Sequence, residues 1–174
     1  GNRDFMLGKD FAQRVGGTLL DDPVMIDVYG HKILLMHGDS LCTDDVSYQR
    51  YRKVVRNRWL QKLFLAMPLK VRQGISDKIK VKSKQQKQYK QAQIMDVNPA
   101  SVRQVMQQYN ATLLLHGHTH RPAIHTLQSS QNNSNYRIVL GDWQPDASYI
   151  EITPEKIRLA DKRLSEGQSI LSLN

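Results

Sequence analysis

The chain has 174 residues, of which 40% are hydrophobic, and this suits one domain with a buried core. No run of 18 or more apolar residues occurs, which excludes a membrane-spanning helix. Gly1–Phe5 has neither a basic region nor an apolar run, so no signal peptide is predicted there. The one cysteine, Cys42, excludes an internal disulfide and fits a reducing compartment.

The positive charge is concentrated in one segment of the chain. Residues 46–100 contain 14 basic and two acidic residues, a net charge of +12, whereas the whole chain carries +9. The remainder of the chain is therefore slightly negative, at −3. Such segregation favours an anionic partner, which could be a phosphate, a nucleic acid or an anionic membrane surface.

The segment before this basic region has the pattern of a short helix and two strands. Residues 10–15 suit one or two helical turns, which end at two glycines. Val24–Val28 and His31–Met36 are predicted strands joined by a tight turn. The second strand leads directly into the polar sequence His37-Gly38-Asp39.

Residues 46–95 change to helical periodicity, with an apolar stripe that ends before a proline. Its residues follow the i, i+3, i+4, i+7 spacing: Leu60, Leu63, Phe64 and Met67. Packing between helices is the ordinary role of such a stripe. Asn98 and Pro99 then predict the start of a further helix that runs to about Asn110.

The predicted organisation is α/β. Further strands are expected at 112–115, 136–140, 148–152 and 156–160. The sequence thus divides into a core of residues 1–45 and 101–164, an inserted basic helical segment at 46–100, and a tail at 165–174 without a clear element.

Three polar motifs are candidates for chemistry: Gly1-Asn2-Arg3-Asp4, His37-Gly38-Asp39 and Gly117-His118-Thr119-His120. In an extended loop, residues two apart point the same way, so His118 and His120 are predicted to converge. Imidazole nitrogens and amide oxygens are ligands of divalent metal ions. Gly38 and Gly117 suit a backbone that passes close to a bound ion or phosphate. His31 and His125 are predicted to be ordinary hydrogen-bonding residues.

The order of these motifs resembles the second half of the calcineurin-like metallophosphoesterase pattern. A narrower resemblance is to the pyrophosphatases of lipid A biosynthesis that act on UDP-2,3-diacylglucosamine. It is carried by Arg3 in place of the usual histidine, by Cys42-Thr43-Asp44-Asp45, by Ile94–Asn98 and by His116–Pro122, and it extends to about Leu159. The resemblance implies a β-sandwich flanked by helices, with residues 46–100 as a helical lid.

The resemblance also implies a two-Mn²⁺ site and a set of substrate contacts. The implied metal ligands are Asn2, His37, His118 and His120. The implied substrate-binding residues are Asn2, Arg3, Asp45, Ser83, Lys87, Lys90 and His118. Arg3 would be the catalytic residue, stabilising negative charge while activated water attacks the α-phosphorus to give UMP and 2,3-diacylglucosamine 1-phosphate. The apolar stripe would then have a second possible role, lining a chamber for acyl chains.

One departure from the family is that it begins with Asp-x-His and Gly-Asp motifs ahead of Gly-Asn-(His/Arg)-Asp, and no segment of this chain replaces them. We therefore expect the chain to be the C-terminal part of such an enzyme, inactive alone and preceded by roughly 50–100 residues that supply the other metal ligands. The basic lid predicts a peripheral position on the cytoplasmic face of the bacterial inner membrane, at about 1 kcal/mol for each Lys or Arg near the surface. No nucleic acid and no obligate protein partner are expected.

Two alternatives are open at this stage. A metallophosphoesterase of the same fold could act on another phosphodiester, a cyclic nucleotide or a nucleic acid. In the other class, the chain would be a basic nucleic-acid-binding module without catalysis. No zinc-finger spacing or RNP aromatic motif supports that class.

Overall fold

A computed structural model of the chain describes residues 5–89, 96–127, 134–143 and 146–173, with the backbone alone at 82 and 84–89. The helices are α1 (Lys9–Arg14), α2 (Val46–Val55), α3 (Arg58–Ala66), α4 (Leu69–Tyr89) and α5 (Pro99–Gln108). The strands are β1 (Val24–Val28), β2 (His31–Met36), β3 (Leu113–His116), β4 (Ala123–Leu127), β5 (Asn135–Val139), β6 (Tyr149–Ile152), β7 (Lys156–Ala160) and β8 (Gln168–Ser172). The mixed α/β class is as predicted.

The chain forms two compact units, one of residues 1–41 with 99–174 and one of residues 42–98. The second unit lies close to the predicted insertion at 46–100. It contains α2, α3 and α4, so the helical periodicity predicted for residues 46–95 is confirmed in its described part. Residues 90–95 lie outside that part.

The first unit is built on a five-stranded sheet in the order β1-β2-β3-β5-β4. Strands β2, β3 and β5 are parallel, and antiparallel β1 and β4 form the edges. The register aligns Met36 with His116 and His116 with Val139. The carboxyl ends of the three parallel strands therefore lie side by side, which is where α/β sheets usually bind ligands.

A second, three-stranded antiparallel sheet, β6-β7-β8, shares one hydrophobic core with the first. The buried residues of this core come from both sheets: Ile33, Leu113, Ile138, Ile157, Leu159 and Leu171. In β2 the neighbours Ile33 and Leu34 are both fully buried although they point to opposite faces. Burial on both faces is typical of parallel strands, and each such side chain contributes about 1.5–3 kcal/mol of transfer free energy.

Two edge strands were missed by the sequence prediction. The prediction that the tail at 165–174 has no element is wrong, because Gln168–Ser172 forms β8 and pairs with β7. Only Leu171 of this strand is buried. Two apolar residues in five give little periodicity, so pairing with β7 decides the conformation. Ala123–Leu127, which forms β4, has a similarly mixed composition.

Helices α2 and α3 of the second unit begin at capping side chains. Asp45 Oδ1 accepts hydrogen bonds from the backbone N–H of Tyr48 at 3.0 Å and from the Ser47 hydroxyl at 2.8 Å. Asn57 Oδ1 likewise accepts from the N–H groups of Trp59 and Leu60 in the first turn of α3, at 2.9 and 3.2 Å. Each cap satisfies backbone donors that a helix start otherwise leaves unpaired.

The apolar stripe of α3 is not buried by the helices around it. Leu60 is 44% exposed and Leu63 is 62% exposed, whereas Phe64 and Met67 are half-buried. Packing between helices is therefore the wrong role for Leu60 and Leu63. None of the described helices is both long enough and apolar enough to cross a membrane.

Candidate metal centre

His37 and His118 are brought together at the carboxyl ends of β2 and β3. Their ring centroids are 5.1 Å apart and the ring planes are nearly perpendicular, at 77°. The Gly117 N–H donates to the His37 carbonyl at 3.1 Å and so joins the two loops. The His37 N–H donates to Asp22 Oδ1 at 3.1 Å.

The loop after β3 is a left-handed turn and not the extended segment that the sequence predicted. His118 has φ +65° and His120 has φ +54°, and the Thr119 N–H donates to the Gly117 carbonyl at 2.8 Å. The directions of the His118 and His120 rings are therefore not set by the alternation of side chains along an extended segment. Positive φ at non-glycine residues costs on the order of 1–3 kcal/mol each and is concentrated at functional sites.

His118 is held in its neutral form. Burial and the neighbouring His37 lower the pKa of His118 from 6.5 to about 4, while Asp39 partly opposes this shift. His120 lowers the His118 pKa further. Neutral imidazole is the form that binds a metal ion.

Gly38 makes room for a third histidine, which sequence reasoning did not single out. Gly38 has φ +99°, and a Cβ there would lie 2.7 Å from Nδ1 of His116. His116 is fully buried. Arg137 Nη1 donates to its Nε2 at 3.3 Å, so its Nδ1–H donates to the Gly117 carbonyl at 2.9 Å. The absence of a side chain at Gly38 thus leaves room for this buried ring.

His120 lies beside a carboxylate at the end of the third parallel strand. Asp142 follows β5 by three residues, and its Oδ2 lies 3.6 Å from Nδ1 of His120. Sequence reasoning missed Asp142. A signal was present, because Gly141-Asp142 follows β5 much as Gly38-Asp39 follows β2.

Arg163 connects this carboxylate to the loop after β7. Its Nη1 donates to Asp142 Oδ1 at 2.7 Å and to the His120 carbonyl at 3.3 Å. Its Nε and Nη2 donate to the two oxygens of buried Asp161 at 2.8 and 2.6 Å. These hydrogen bonds from Arg163 hold the pKa of Asp161 well below its usual range.

Comparison with known proteins identifies the family. The chain is 48% identical to the UDP-2,3-diacylglucosamine hydrolase of Serratia proteamaculans over 91% of this chain and 66% of that protein. It is 53% identical to that of Haemophilus ducreyi over 90% of this chain and 64% of that protein, and 47% identical to that of Tolumonas auensis over 97% and 69%. The chain belongs to the UDP-2,3-diacylglucosamine hydrolase family.

This membership confirms the narrower of the two resemblances seen in the sequence. The chain spans about two thirds of the length of these UDP-2,3-diacylglucosamine hydrolases, between 64% and 69%. No protein-family model matches it.

The remaining residues expected from the hydrolase resemblance are distributed as follows. Asn2, Arg3 and Lys90 lie outside the described residues, as does the side chain of Lys87 in α4. Ser83 is exposed on α4, and Asp45 caps α2. Across the described ranges, no three His, Cys, Asp or Glu side chains are grouped so as to hold a metal ion.

His31 and His125 were predicted to be ordinary hydrogen-bonding residues and not metal ligands. The prediction for His31 is confirmed, because its Nε2 hydrogen-bonds with the Pro154 carbonyl at 2.9 Å. His125 lies on edge strand β4, and it too has an interaction partner.

We expect Arg163→Met to lower the free energy of unfolding by about 1–3 kcal/mol at pH 7, because buried Asp161 then lacks its charged partner. The difference in the free energy of unfolding between parent and variant should become smaller as the pH falls below about 4. In the parent, Asp161 has a lowered pKa and its stabilising contribution disappears in acid. In the variant, Asp161 takes up a proton at higher pH. Urea unfolding at pH 7 and pH 3.5 measures both effects.

Arg158→Met is the matched control for Arg163→Met. Arg158 Nε donates to Glu151 at 2.8 Å in an exposed ion pair on the second sheet. Exposed pairs contribute little to stability, so this variant should unfold at nearly the same urea concentration as the parent. Equal losses in the two variants would show that burial of Asp161 has no special effect.

Proposed function

We propose that the full-length protein containing this chain hydrolyses the pyrophosphate bond of UDP-2,3-diacylglucosamine. Water attacks the α-phosphorus, and the products are UMP and 2,3-diacylglucosamine 1-phosphate, a step of lipid A biosynthesis. The observation that carries the proposal is the pairing of His37 with His118 at the ends of parallel strands. The chain that holds this pair is 48% and 53% identical in sequence to two UDP-2,3-diacylglucosamine hydrolases.

Two neighbouring imidazoles at the strand ends support a site for two Mn²⁺ ions. His37 and His118 offer neighbouring imidazoles, and burial keeps His118 neutral. His120 and Asn2 would complete the ligands from this chain, and the rest would come from elsewhere in the full-length protein. Bound Mn²⁺ would polarise phosphoryl oxygens and make water more acidic.

Within this chain, Arg3 and His118 would contact the phosphate oxygens. The leaving group is a sugar phosphate, whose oxygen is a weak base and needs little protonation. Neutralisation of developing charge then contributes more than acid catalysis, and a permanently charged guanidinium suits that role.

The second unit would act as a lid over the site in a calcineurin-like metallophosphoesterase fold. Its net charge suits a phosphorylated substrate and an anionic membrane surface on the cytoplasmic face. Asp45, Ser83, Lys87 and Lys90 would bind the glucosamine and phosphate groups. An exposed apolar stripe next to so much charge usually marks a binding surface, and acyl chains are the matching apolar groups of this substrate.

We expect Leu63→Asn to raise KM for the diacylated substrate roughly 10-fold, because burying a leucine against an acyl chain contributes about 1.5–3 kcal/mol. Leu65→Asn is the matched control, since Leu65 is 51% exposed on the same helix and its position is on the opposite face from the stripe. Its KM should change less than about 2-fold. Equal KM values for the two variants would contradict acyl-chain binding on the stripe.

A substrate panel tests the proposed function against its alternatives. The full-length protein is assayed with Mn²⁺ or EDTA against UDP-2,3-diacylglucosamine, UDP-N-acetylglucosamine, a cyclic nucleotide and single-stranded RNA. We expect Mn²⁺-dependent UMP release from the diacylated substrate far above the rest. Turnover of the cyclic nucleotide or RNA instead would support another phosphodiesterase, and RNA binding without turnover would support a nucleic-acid-binding module.

A further inference from the structure

A carboxylate lies beside one ring nitrogen of His120. Asp142 Oδ2 is 3.6 Å from His120 Nδ1, slightly beyond the usual hydrogen-bond distance. Histidines that bind metals usually donate their other ring N–H to a carboxylate or carbonyl, which fixes the tautomer and the ring orientation. Asp142 at Nδ1 leaves Nε2 as the nitrogen with a free lone pair.

Arg163 holds Asp142 in this position from the other side. A single Nη1 atom donates both to Asp142 and to the backbone carbonyl of His120. The rest of the guanidinium is fixed by two hydrogen bonds to Asp161, whose carboxylate also accepts from the Arg163 N–H at 2.9 Å. Arg163 therefore holds in place both the Asp142 carboxylate, which lies beside the His120 ring, and the left-handed backbone of His120.

Gly141 is required for this arrangement to pack. A Cβ at Gly141 would collide with the side chains of Arg163 and Asp161 and would lie 2.8 Å from the Ser148 hydroxyl. The Gly141 N–H donates to that hydroxyl at 3.0 Å. The backbone before Asp142 is thus pressed against the Asp161–Arg163 pair, and this contact fixes where the Asp142 carboxylate lies.

We propose that Asp142, held by Arg163, is a positioning residue that keeps the His120 ring proton on Nδ1 and presents Nε2 to the metal ion. This inference rests on the proposed function, because it assigns His120 to the metal site of that reaction. Neither Asp142 nor Arg163 was expected from the motifs of the sequence.

The test compares Asp142→Asn with the parent in the full-length protein. In metal-free protein at pH 8, ¹⁵N-histidine NMR should show the Nδ1–H tautomer of His120 in the parent and a shift towards Nε2–H in the variant, because a neutral amide holds the proton less strongly. Mn²⁺ titration followed by electron paramagnetic resonance should show affinity about 10–100-fold weaker. We expect kcat to fall more than KM rises.

Two further variants separate positioning from general destabilisation. Asp142→Asn leaves the buried Asp161–Arg163 pair in place, so the fold should persist. Arg163→Lys retains the charge but cannot contact both carboxylates with a planar fork, and it should give an intermediate loss of Mn²⁺ affinity. Arg158→Lys, on the second sheet and paired with Glu151, should change neither the tautomer nor the affinity.

An Asp142→Asn variant with the parent's tautomer and Mn²⁺ affinity within about 2-fold would overturn the positioning role. Parent protein that still releases UMP would then leave the proposed function intact. If the parent released no UMP, the proposed function would fail, and the tautomer measurement would still decide the arrangement at His120 because it needs no turnover.

Discussion

His118→Ala in the full-length protein is expected to lower kcat by roughly 10³-fold at saturating Mn²⁺, because metal ions contribute several kcal/mol of transition-state stabilisation in such sites. His118 is the best-placed ligand candidate, since its ring lies 5.1 Å from that of His37. Mn²⁺ affinity should fall with kcat. Steady-state UMP release and Mn²⁺ titration measure the two effects.

His31→Ala is the control for this prediction. His31 hydrogen-bonds with a backbone carbonyl at the far end of β2 and belongs to no candidate site. Its kcat and Mn²⁺ affinity should match those of the parent. His118→Ala protein that keeps both within about 3-fold of the parent would remove His118 from the metal site.

Gly38→Ala is expected to lower the free energy of unfolding by about 2–5 kcal/mol. The unfavourable φ costs about 1–2 kcal/mol, and forcing a methyl group against the buried His116 ring costs about 1–3 kcal/mol more. In a domain of this size such a loss lowers Tm by roughly 5–20 °C. Thermal unfolding followed by circular dichroism measures it.

Two other glycines separate the sources of this loss. Gly16 has φ +65° with open space around it, so Gly16→Ala should show the cost of φ alone, about 1–2 kcal/mol. Gly74 lies inside α4 without neighbours and with an ordinary φ, so Gly74→Ala should be stabilising by about 0.5–1 kcal/mol. If Gly38→Ala lowered the free energy of unfolding no more than Gly16→Ala does, the His116 ring would be able to move away from the new methyl group without cost.

Strands with continuous or regularly spaced apolar residues could be predicted from sequence. The predicted bounds of β1, β2 and β7 coincide with the observed ones. The edge strand β8 could not be predicted, since its conformation depends on pairing with β7 and not on its own composition. The same holds for β4, where His125 and Thr126 interrupt the apolar pattern.

The candidate site was predictable where polar residues directly follow buried strands, as at His37 and His118. The geometry of the loop was not, because local alternation gives no sign of left-handed backbone at His118 and His120. The contacts of Arg163 could not be predicted from sequence for another reason. They join residues separated by 21 and 43 positions, and no local pattern reports such a contact.

The position of water attack tests the account most directly. The full-length protein is incubated with UDP-2,3-diacylglucosamine and Mn²⁺ in H₂¹⁸O, and both products are analysed by mass spectrometry. We predict one ¹⁸O atom in UMP, none in 2,3-diacylglucosamine 1-phosphate, and no labelled product with EDTA or in His118→Ala. Label in the sugar phosphate, or equal turnover without metal, would contradict it.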